Sequence, residues 1–194
     1  MLQSHSVTTR PALHIEWWRN SLVLAAIVMA LSLLLAPRLT RTTRTLPVGG
    51  PVPDFNLFLM AGGNFRLSEA LAAGRPVLLL FYELDCEPSE RALRRLNDIN
   101  ATRPDLVIVA VNGRPHTAQA LGQFYAQLTA ASGMAPRFAW GLDPQGRLAR
   151  AYHVPDAYPF WFFIRADGTL AAVRVGEHAG HNLLYRVNQY LPPE

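Results

Sequence analysis

Two nearly unbroken runs of apolar residues lie in the middle of the chain, at residues 76–84 (PVLLLFYEL) and 105–111 (DLVIVAV). Apolar runs of this length are typical of strands that are buried on both faces of a sheet. Between them, residues 88–101 place apolar side chains on one helical face and arginines on the other. A strand, a helix and a strand in this order predict a crossover, so we expect the two runs to be parallel central neighbours in a mixed sheet of four or five strands.

The rest of the chain after residue 53 alternates between short strands and helices. The apolar patterns predict strands at 54–60, 138–141, 160–165 and 170–175, and helices at 67–73, 117–131, 146–152 and 181–190. Asp167 and Gly168 lie between the last two strands, and an Asp-Gly pair in this place is typical of a hairpin. The whole pattern predicts an α/β fold in which helices flank both faces of the sheet.

The first 52 residues have a different pattern. The stretch between Arg19 and Arg38 carries no charge, and as a helix it would span about 27 Å, close to the thickness of a thin bilayer core. We therefore predict four segments: a tail (1–19), a transmembrane anchor (20–37), a linker rich in Thr, Pro and Gly (38–52) and a folded domain (53–194). The alternative is a cleaved signal peptide that ends at Ala36.

Charge also separates the two parts of the chain. The 194 residues carry 18 basic side chains, all arginine, and 14 acidic ones, so the formal net charge is +4. The excess lies entirely before residue 51, and the predicted domain is neutral. A neutral domain without a basic stripe argues against nucleic-acid binding. Arginines precede and follow the predicted anchor in similar numbers, so the charge count leaves its orientation open.

Cys86, the only cysteine, lies between the first apolar run and the helix that follows it. One cysteine excludes an intrachain disulfide and a zinc site made of several thiolates. Pro88 predicts the start of the helix, where the positive end of the helix dipole stabilises a thiolate, whereas the carboxylates of Asp85 and Glu87 disfavour it. The Ser89 hydroxyl has two possible roles, contact with the sulfur or capping of the helix. A buried structural thiol is the alternative interpretation of Cys86.

Five short motifs together resemble the thioredoxin superfamily, in particular the membrane-anchored TlpA-type thiol-disulfide oxidoreductases of the bacterial envelope. The motifs occur in the order found in that family and are listed here: PDFNL at 53–57, FYELDCEPS at 81–89, YHV at 152–154, YPF at 158–160 and DG at 167–168. The resemblance covers about residues 48–191. It implies a thioredoxin-like fold, a single-pass membrane location with the domain outside the cytoplasm, and exchange with thiols or disulfides of envelope proteins.

The chain departs from this family at the position of its second active-site cysteine, which is Ser89, and at the preceding tryptophan, which is Asp85. The resemblance therefore implies a monothiol protein in which Cys86 forms a mixed disulfide and an external reductant thiol releases it. It also implies a cis peptide bond before Pro159, with the backbone of Tyr158 facing the substrate.

The same resemblance places Glu87 and Pro88, together with Tyr158, among the residues that contact the substrate. No glycine-rich nucleotide loop is present, and nothing in the sequence predicts a cofactor. His178 and His181 are close enough in sequence to share a metal ion, but solvent-exposed loop histidines are the more common case, so we predict no metal site.

Two other functions remain open. The first is a binding module that keeps the thioredoxin fold and has lost turnover, which Ser89 and Asp85 favour. The second is a one-cysteine peroxidase, which the sequence disfavours because Leu79 and Glu83 stand where the peroxidase pattern P-x-x-x-[ST]-x-x-C requires Pro and Ser or Thr.

Overall fold

The computed structural model describes residues 23–30, 45–133, 135–176 and 182–193. The chain divides into two compact units, Met1–Thr42 and Thr43–Glu194. In the first unit, residues 23–30 are helical and exposed, and the rest of the predicted anchor at 20–37 lies outside the described residues. None of the helices within the described ranges has both the length and the apolar character needed to cross a membrane.

The second unit contains one sheet with helices packed on it. Its strands are β1 (Asn56–Leu59), β2 (Asn64–Arg66), β3 (Val77–Tyr82), β4 (Val107–Asn112), β5 (Ala139–Leu142), β6 (Phe160–Ile164) and β7 (Leu170–Val175). Its helices are α1 (Leu67–Ala72), α2 (Glu87–Thr102), α3 (Ala118–Ser132), α4 (Arg147–Ala151) and α5 (Leu183–Tyr190).

Strands β3 and β4 are parallel neighbours inside the sheet, as the two apolar runs predict. The sheet order is β2-β1-β5-β4-β3-β6-β7, where β5 runs parallel to β4, and β6 runs antiparallel to β3. The expected number of four or five strands is wrong, because the sheet described here has seven. The difference includes β2, whose three residues are too few to give an alternating pattern in the sequence.

The core lies on both faces of the sheet because successive side chains of a strand point to opposite faces. All six residues of β3 are buried. Leu78, Leu80 and Tyr82 pack with residues of α2, α3 and α5, whereas Val77, Leu79 and Phe81 pack with residues of α1 and α4. This arrangement confirms the predicted α/β fold with a mixed sheet between helices. It also explains why both runs read as continuously apolar.

A buried arginine joins α2 to α5. Arg103 follows the last turn of α2 and is only 5% exposed. Its Nε and Nη2 donate to the two carboxylate oxygens of Asp105 at 2.8 and 2.6 Å, and its Nη1 donates to Asn188 Oδ1 at 2.6 Å and to the Leu191 carbonyl at 3.0 Å. Hydrogen bonding to Arg103 lowers the pKa of Asp105 below its ordinary value.

The ordered contacts of the domain begin before residue 53. Leu46 and Val52 pack against the core on the α1 and α4 side of the sheet. The Gly49 N–H donates to the Leu170 carbonyl at 2.7 Å, and the Leu170 N–H donates to the Gly50 carbonyl at 2.8 Å. The last residues of the segment predicted as a linker therefore pack as part of the domain, because they include apolar side chains and pair with the start of β7.

Candidate functional site

Four loops meet at one edge of the sheet, which we call the carboxyl edge. Because β3, β4 and β5 are parallel, the loops that follow them (83–86, 113–117 and 143–146) leave from this edge, and the antiparallel β6 begins there after residues 155–159. The buried side chain of Asn112 joins two of these loops, since its Nδ2 donates to the carbonyls of Arg114 at 2.7 Å and Asp143 at 2.6 Å. The edge is thus a connected platform, and it carries the residues predicted from the sequence.

Cys86 occupies the N-cap position of α2, with extended backbone angles of φ −114° and ψ 101°. Its thiol is free and partly exposed. Pro88 lies in the first turn, and the Cys86 carbonyl accepts a hydrogen bond from the Glu90 N–H at 3.0 Å. The structure confirms the predicted position of Cys86 at the N-terminal end of a 16-residue helix.

Ser89 is fully buried behind Cys86. Its Oγ accepts a hydrogen bond from the backbone N–H of Glu83 at 3.2 Å, which fastens the first turn of α2 to the end of β3. The possible capping role of Ser89 is wrong, because the N-cap is Cys86 and no side chain caps this helix. Ser89, which stands where the thioredoxin-like family has its second cysteine, therefore accepts a hydrogen bond from the backbone of the loop after β3.

Glu83 is the functional candidate that sequence reasoning missed. Its side chain is 14% exposed, and its Oε1 lies 2.6 Å from Nε2 of His116 and 3.0 Å from the Leu84 N–H. Its Oε2 is buried without a hydrogen bond, although Arg114 Nε lies 3.4 Å away, because that N–H is directed to Asp156. The sequence did contain a signal for Glu83: it is a carboxylate within an apolar run, and it lies three residues before the only cysteine.

Arg114 connects the loop after β3 with the loop before β6. Its Nε donates to Asp156 Oδ1 at 3.3 Å, and its guanidinium carbon lies 5.7 Å from the centre of the Tyr158 ring. Burial raises the pKa of the Tyr158 phenol, and the negative charges of Glu83 and Asp156 raise it further. The Tyr158 hydroxyl therefore stays protonated at neutral pH.

The peptide bond between Tyr158 and Pro159 is cis, as the resemblance implies. Pro159 is buried, and the pairing of Phe81 with Phe160 places it beside the end of β3. The Tyr158 ring lies directly against Gly113, where a Cβ atom would come within 1.9 Å of a ring carbon. Glycine at position 113 is what allows the aromatic ring to occupy this part of the carboxyl edge.

The remaining predicted residues lie around Cys86 or outside the described ranges. Asp85 and Glu87 are both exposed on either side of the cysteine, and Glu87 forms an ion pair with Arg91. His178 and His181 fall outside the described residues. Among the residues that are described, no three His, Cys, Asp or Glu side chains form a group able to hold a metal ion.

Comparison with known proteins places this domain in a family. The sequence model described as the AhpC/TSA family matches residues 48–173, which is more than half of the chain. The chain belongs to the AhpC/TSA family. A search of curated proteins found no match.

Solved structures share the fold of this AhpC/TSA domain. A Chlorobium tepidum protein assigned as thiol:disulfide interchange protein DsbE is 26% identical, with a TM-score of 0.60 over 73% of this chain and 98% of that one. A secreted disulfide oxidoreductase of Mycobacterium tuberculosis, homologous to E. coli DsbE, is 22% identical, with a TM-score of 0.57 over 70% and 95%. Peroxidoxin BcpB of M. tuberculosis is 19% identical, with a TM-score of 0.58 over 73% and 96%. The fold is therefore thioredoxin-like.

The geometry limits what this AhpC/TSA domain can do with sulfur. Cys86 is reachable from solvent, and the position three residues later holds a buried hydroxyl. A thiol in this place can attack a disulfide and form an intermolecular bond, but no second cysteine exists in the chain to displace it. Resolution of any such bond requires a thiol from another molecule.

Proposed function

We propose that this chain is a membrane-anchored, thioredoxin-like protein that exchanges thiols and disulfides with envelope proteins through Cys86. The observation that carries the proposal is the partly exposed thiol at the N-cap of α2, on the carboxyl edge of a thioredoxin-like sheet. Membership of the AhpC/TSA family and the fold shared with disulfide oxidoreductases support the same chemistry. The second thiol comes from outside the chain, because Ser89 occupies the position of the resolving cysteine.

The proposed reaction has two balanced exchange steps. The Cys86 thiolate attacks one sulfur of a partner disulfide, a new S–S bond forms as the old one breaks, and the departing sulfur leaves as a thiolate that takes a proton from water. A low-molecular-weight thiol then attacks the mixed disulfide. This second step returns Cys86 to the thiol and leaves the partner joined to the small thiol, so no other oxidant or reductant is consumed.

The partner would lie along the carboxyl edge next to Cys86. In this proposal the backbone of Tyr158, held before the cis bond to Pro159, pairs with an extended segment of the partner. Glu87 and Pro88 line the other side of the cysteine, and Glu87 is exposed enough to meet the partner. The ring of Tyr158 is fixed against Gly113, so its backbone is held before the partner arrives.

Anchoring through residues 20–37, with the domain outside the cytoplasm, is the second part of the proposal. The uncharged stretch of the sequence supports it. The full chain should remain with the membrane fraction after a salt wash, and external protease should digest the domain in spheroplasts. Recovery of a mature chain that begins near Pro37 would contradict the anchor, and protection of the domain from protease would contradict its orientation.

The chemical part is tested by trapping and by restoring the missing thiol. Incubated with a peptide disulfide, the parent should form a mixed disulfide that persists until dithiothreitol or glutathione is added, and Cys86→Ser should form none. Ser89→Cys should gain continuous disulfide-reductase turnover with dithiothreitol as reductant, because it supplies a resolving thiol three residues after Cys86. Mass spectrometry measures the adduct, and a disulfide-reduction assay measures turnover.

The second candidate function is a binding module without turnover. It is favoured by the buried hydrogen bond between Ser89 and the Glu83 N–H, which gives Ser89 a structural task. If Ser89→Cys folds normally but shows no turnover, and the parent forms no adduct, the binding module replaces the exchange function. Peroxide consumption by the parent would instead support the one-cysteine peroxidase. The sequence disfavours that function, because Leu79 and Glu83 stand at two positions of the peroxidase motif.

A further inference from the structure

Asp85 has an uncommon backbone conformation immediately before the cysteine. Its φ of 54° lies in the left-handed region, which glycine, asparagine and aspartate adopt more readily than other residues. This conformation ends the extended chain of β3 and turns it toward the N-cap of α2. The side chain of Asp85 is exposed, so its charge faces solvent beside the partly exposed thiol.

The carboxylates near Cys86 differ in whether a cation neutralises them. Glu83 contacts His116 and Arg114, as described above. Glu87 pairs with Arg91, and Glu90 lies 3.7 Å from Arg94. Asp85 is the exception, since none of its neighbours within the described part of the chain forms an ion pair or a side-chain hydrogen bond with it. One uncompensated negative charge therefore remains next to the sulfur.

We propose that Asp85 is a specificity-determining residue that directs Cys86 toward disulfides carrying positive charge next to the reacting sulfur. The natural partner would then present lysine or arginine beside its cysteine. This inference rests on the proposed exchange function and names the substrate class for it. The attack itself is the first exchange step described above, so it adds no reactant.

Simple electrostatics sets the size of the effect. Two unit charges about 8 Å apart in water change a rate by roughly two- to threefold, attraction increasing it and repulsion decreasing it. The negative charge of Asp85 increases the rate with a cationic disulfide and decreases the rate with an anionic one. The ratio of the two rates should therefore change by both factors multiplied together, about fivefold. Salt screens the exposed charge of Asp85 and should reduce this ratio.

Three small symmetrical disulfides serve as probes: cystamine (cationic), 2-hydroxyethyl disulfide (neutral) and 3,3′-dithiodipropionate (anionic). The full chain in mild detergent is mixed with each probe at neutral pH, and mass spectrometry follows formation of the Cys86 adduct. Because the probes differ in intrinsic reactivity, the readout is the ratio of cystamine to dithiodipropionate rates in a variant relative to the parent.

Asp85→Asn removes the charge and retains a residue that adopts positive φ. Glu90→Gln is the matched control, since it removes a carboxylate paired with Arg94 from the same helix start.

At low ionic strength, Asp85→Asn should lower the rate ratio about fivefold, whereas Glu90→Gln should change it by less than about twofold. High salt should bring the parent close to Asp85→Asn. Equal ratios in the parent and Asp85→Asn, or equal effects of the two substitutions, would overturn the role of Asp85 while leaving the exchange function in place. Failure of the parent to react with any of the three probes would overturn the exchange function itself, and this inference with it.

Discussion

The two edges of the central sheet both hold charged side chains away from bulk water, but they do so in opposite ways. At the amino edge, where β4 is about to begin, the buried guanidinium of Arg103 is satisfied by Asp105, Asn188 and the Leu191 carbonyl. At the carboxyl edge, Glu83 keeps one carboxylate oxygen buried without a hydrogen bond. Every guanidinium nitrogen of Arg103 has a hydrogen-bond partner, whereas one carboxylate oxygen of Glu83 has none.

This difference separates a charge that holds the fold from charges that are available for function. A buried ion is tolerated when its hydrogen bonds are all made within the protein. Four hydrogen bonds from Arg103 go to acceptors within the protein, and they join the end of α2 to α5. At the carboxyl edge, Glu83 is only partly compensated by neighbouring cations, and Asp85 has no ion pair within the described residues. Such uncompensated charges are typical of sites where chemistry or binding takes place.

Removal of the buried cation should have the largest effect on stability. Arg103→Ala leaves Asn188 and the Leu191 carbonyl without their donor, and we expect the free energy of unfolding to fall by about 3 kcal/mol. Arg94→Ala is the matched control on the same helix, because its ion pair with Glu90 is exposed and should contribute less than about 0.5 kcal/mol. Urea unfolding measures both, and similar losses would show that Arg103 is not the structural charge of the amino edge.

A side chain introduced at the carboxyl edge should have the next largest effect. Gly113→Ala places a Cβ within 1.9 Å of the Tyr158 ring, so the ring must move, and we expect a loss of about 2 kcal/mol in unfolding free energy. Gly122→Ala is the control, since its added Cβ meets no atom within 4 Å inside α3 and alanine favours the helix, which should give a small gain in stability. A neutral result for Gly113→Ala would mean that Tyr158 is not held by this contact.

The smallest expected effect is the pH dependence contributed by Asp105. Hydrogen bonding to Arg103 lowers the pKa of Asp105 in the folded state, so its stabilising contribution is present above the unfolded pKa of about 4 and is lost as the pH falls through the folded value. Since the Asp105 side chain is 43% exposed, solvent weakens the contribution. The stability difference between the parent and Asp105→Asn, measured by urea unfolding, should therefore be greatest at neutral pH and narrow on acidification. A constant difference across that range would contradict the linkage.

Much of the fold could be predicted because its determinants are local in the sequence. The apolar runs that became β3 and β4 were identified as parallel neighbours, since strands buried on both faces carry no polar alternation. The start of α2 followed from Pro88 and from the apolar stripe of the helix. The full width of the sheet was missed, because β2 is only three residues long and its pairing with β1 depends on a neighbour rather than on its own pattern.

The candidate site was predictable in part, for a related physical reason. Cys86 and the cis bond before Pro159 belong to motifs that are contiguous in sequence. The contact between Glu83 and His116 joins residues 33 positions apart, and it exists only because parallel strands end at one edge. The burial of Arg103 was hidden in the same way, since its partner Asn188 lies 85 positions away.

The pairing of residues 49–52 with the beginning of β7 occupies part of the outer edge of the sheet. An edge strand with free N–H and C=O groups is a template for pairing with another chain. The Leu170 carbonyl accepts a hydrogen bond from the Gly49 N–H, and the Leu170 N–H donates to the Gly50 carbonyl. The Val52 N–H donates to the Gly168 carbonyl. Residues 49–52 therefore cover the first residue of the outer strand β7 and the turn before it. A fragment that begins after Val52 would free the backbone groups of Gly168 and Leu170, and we expect it to aggregate more readily than the full domain.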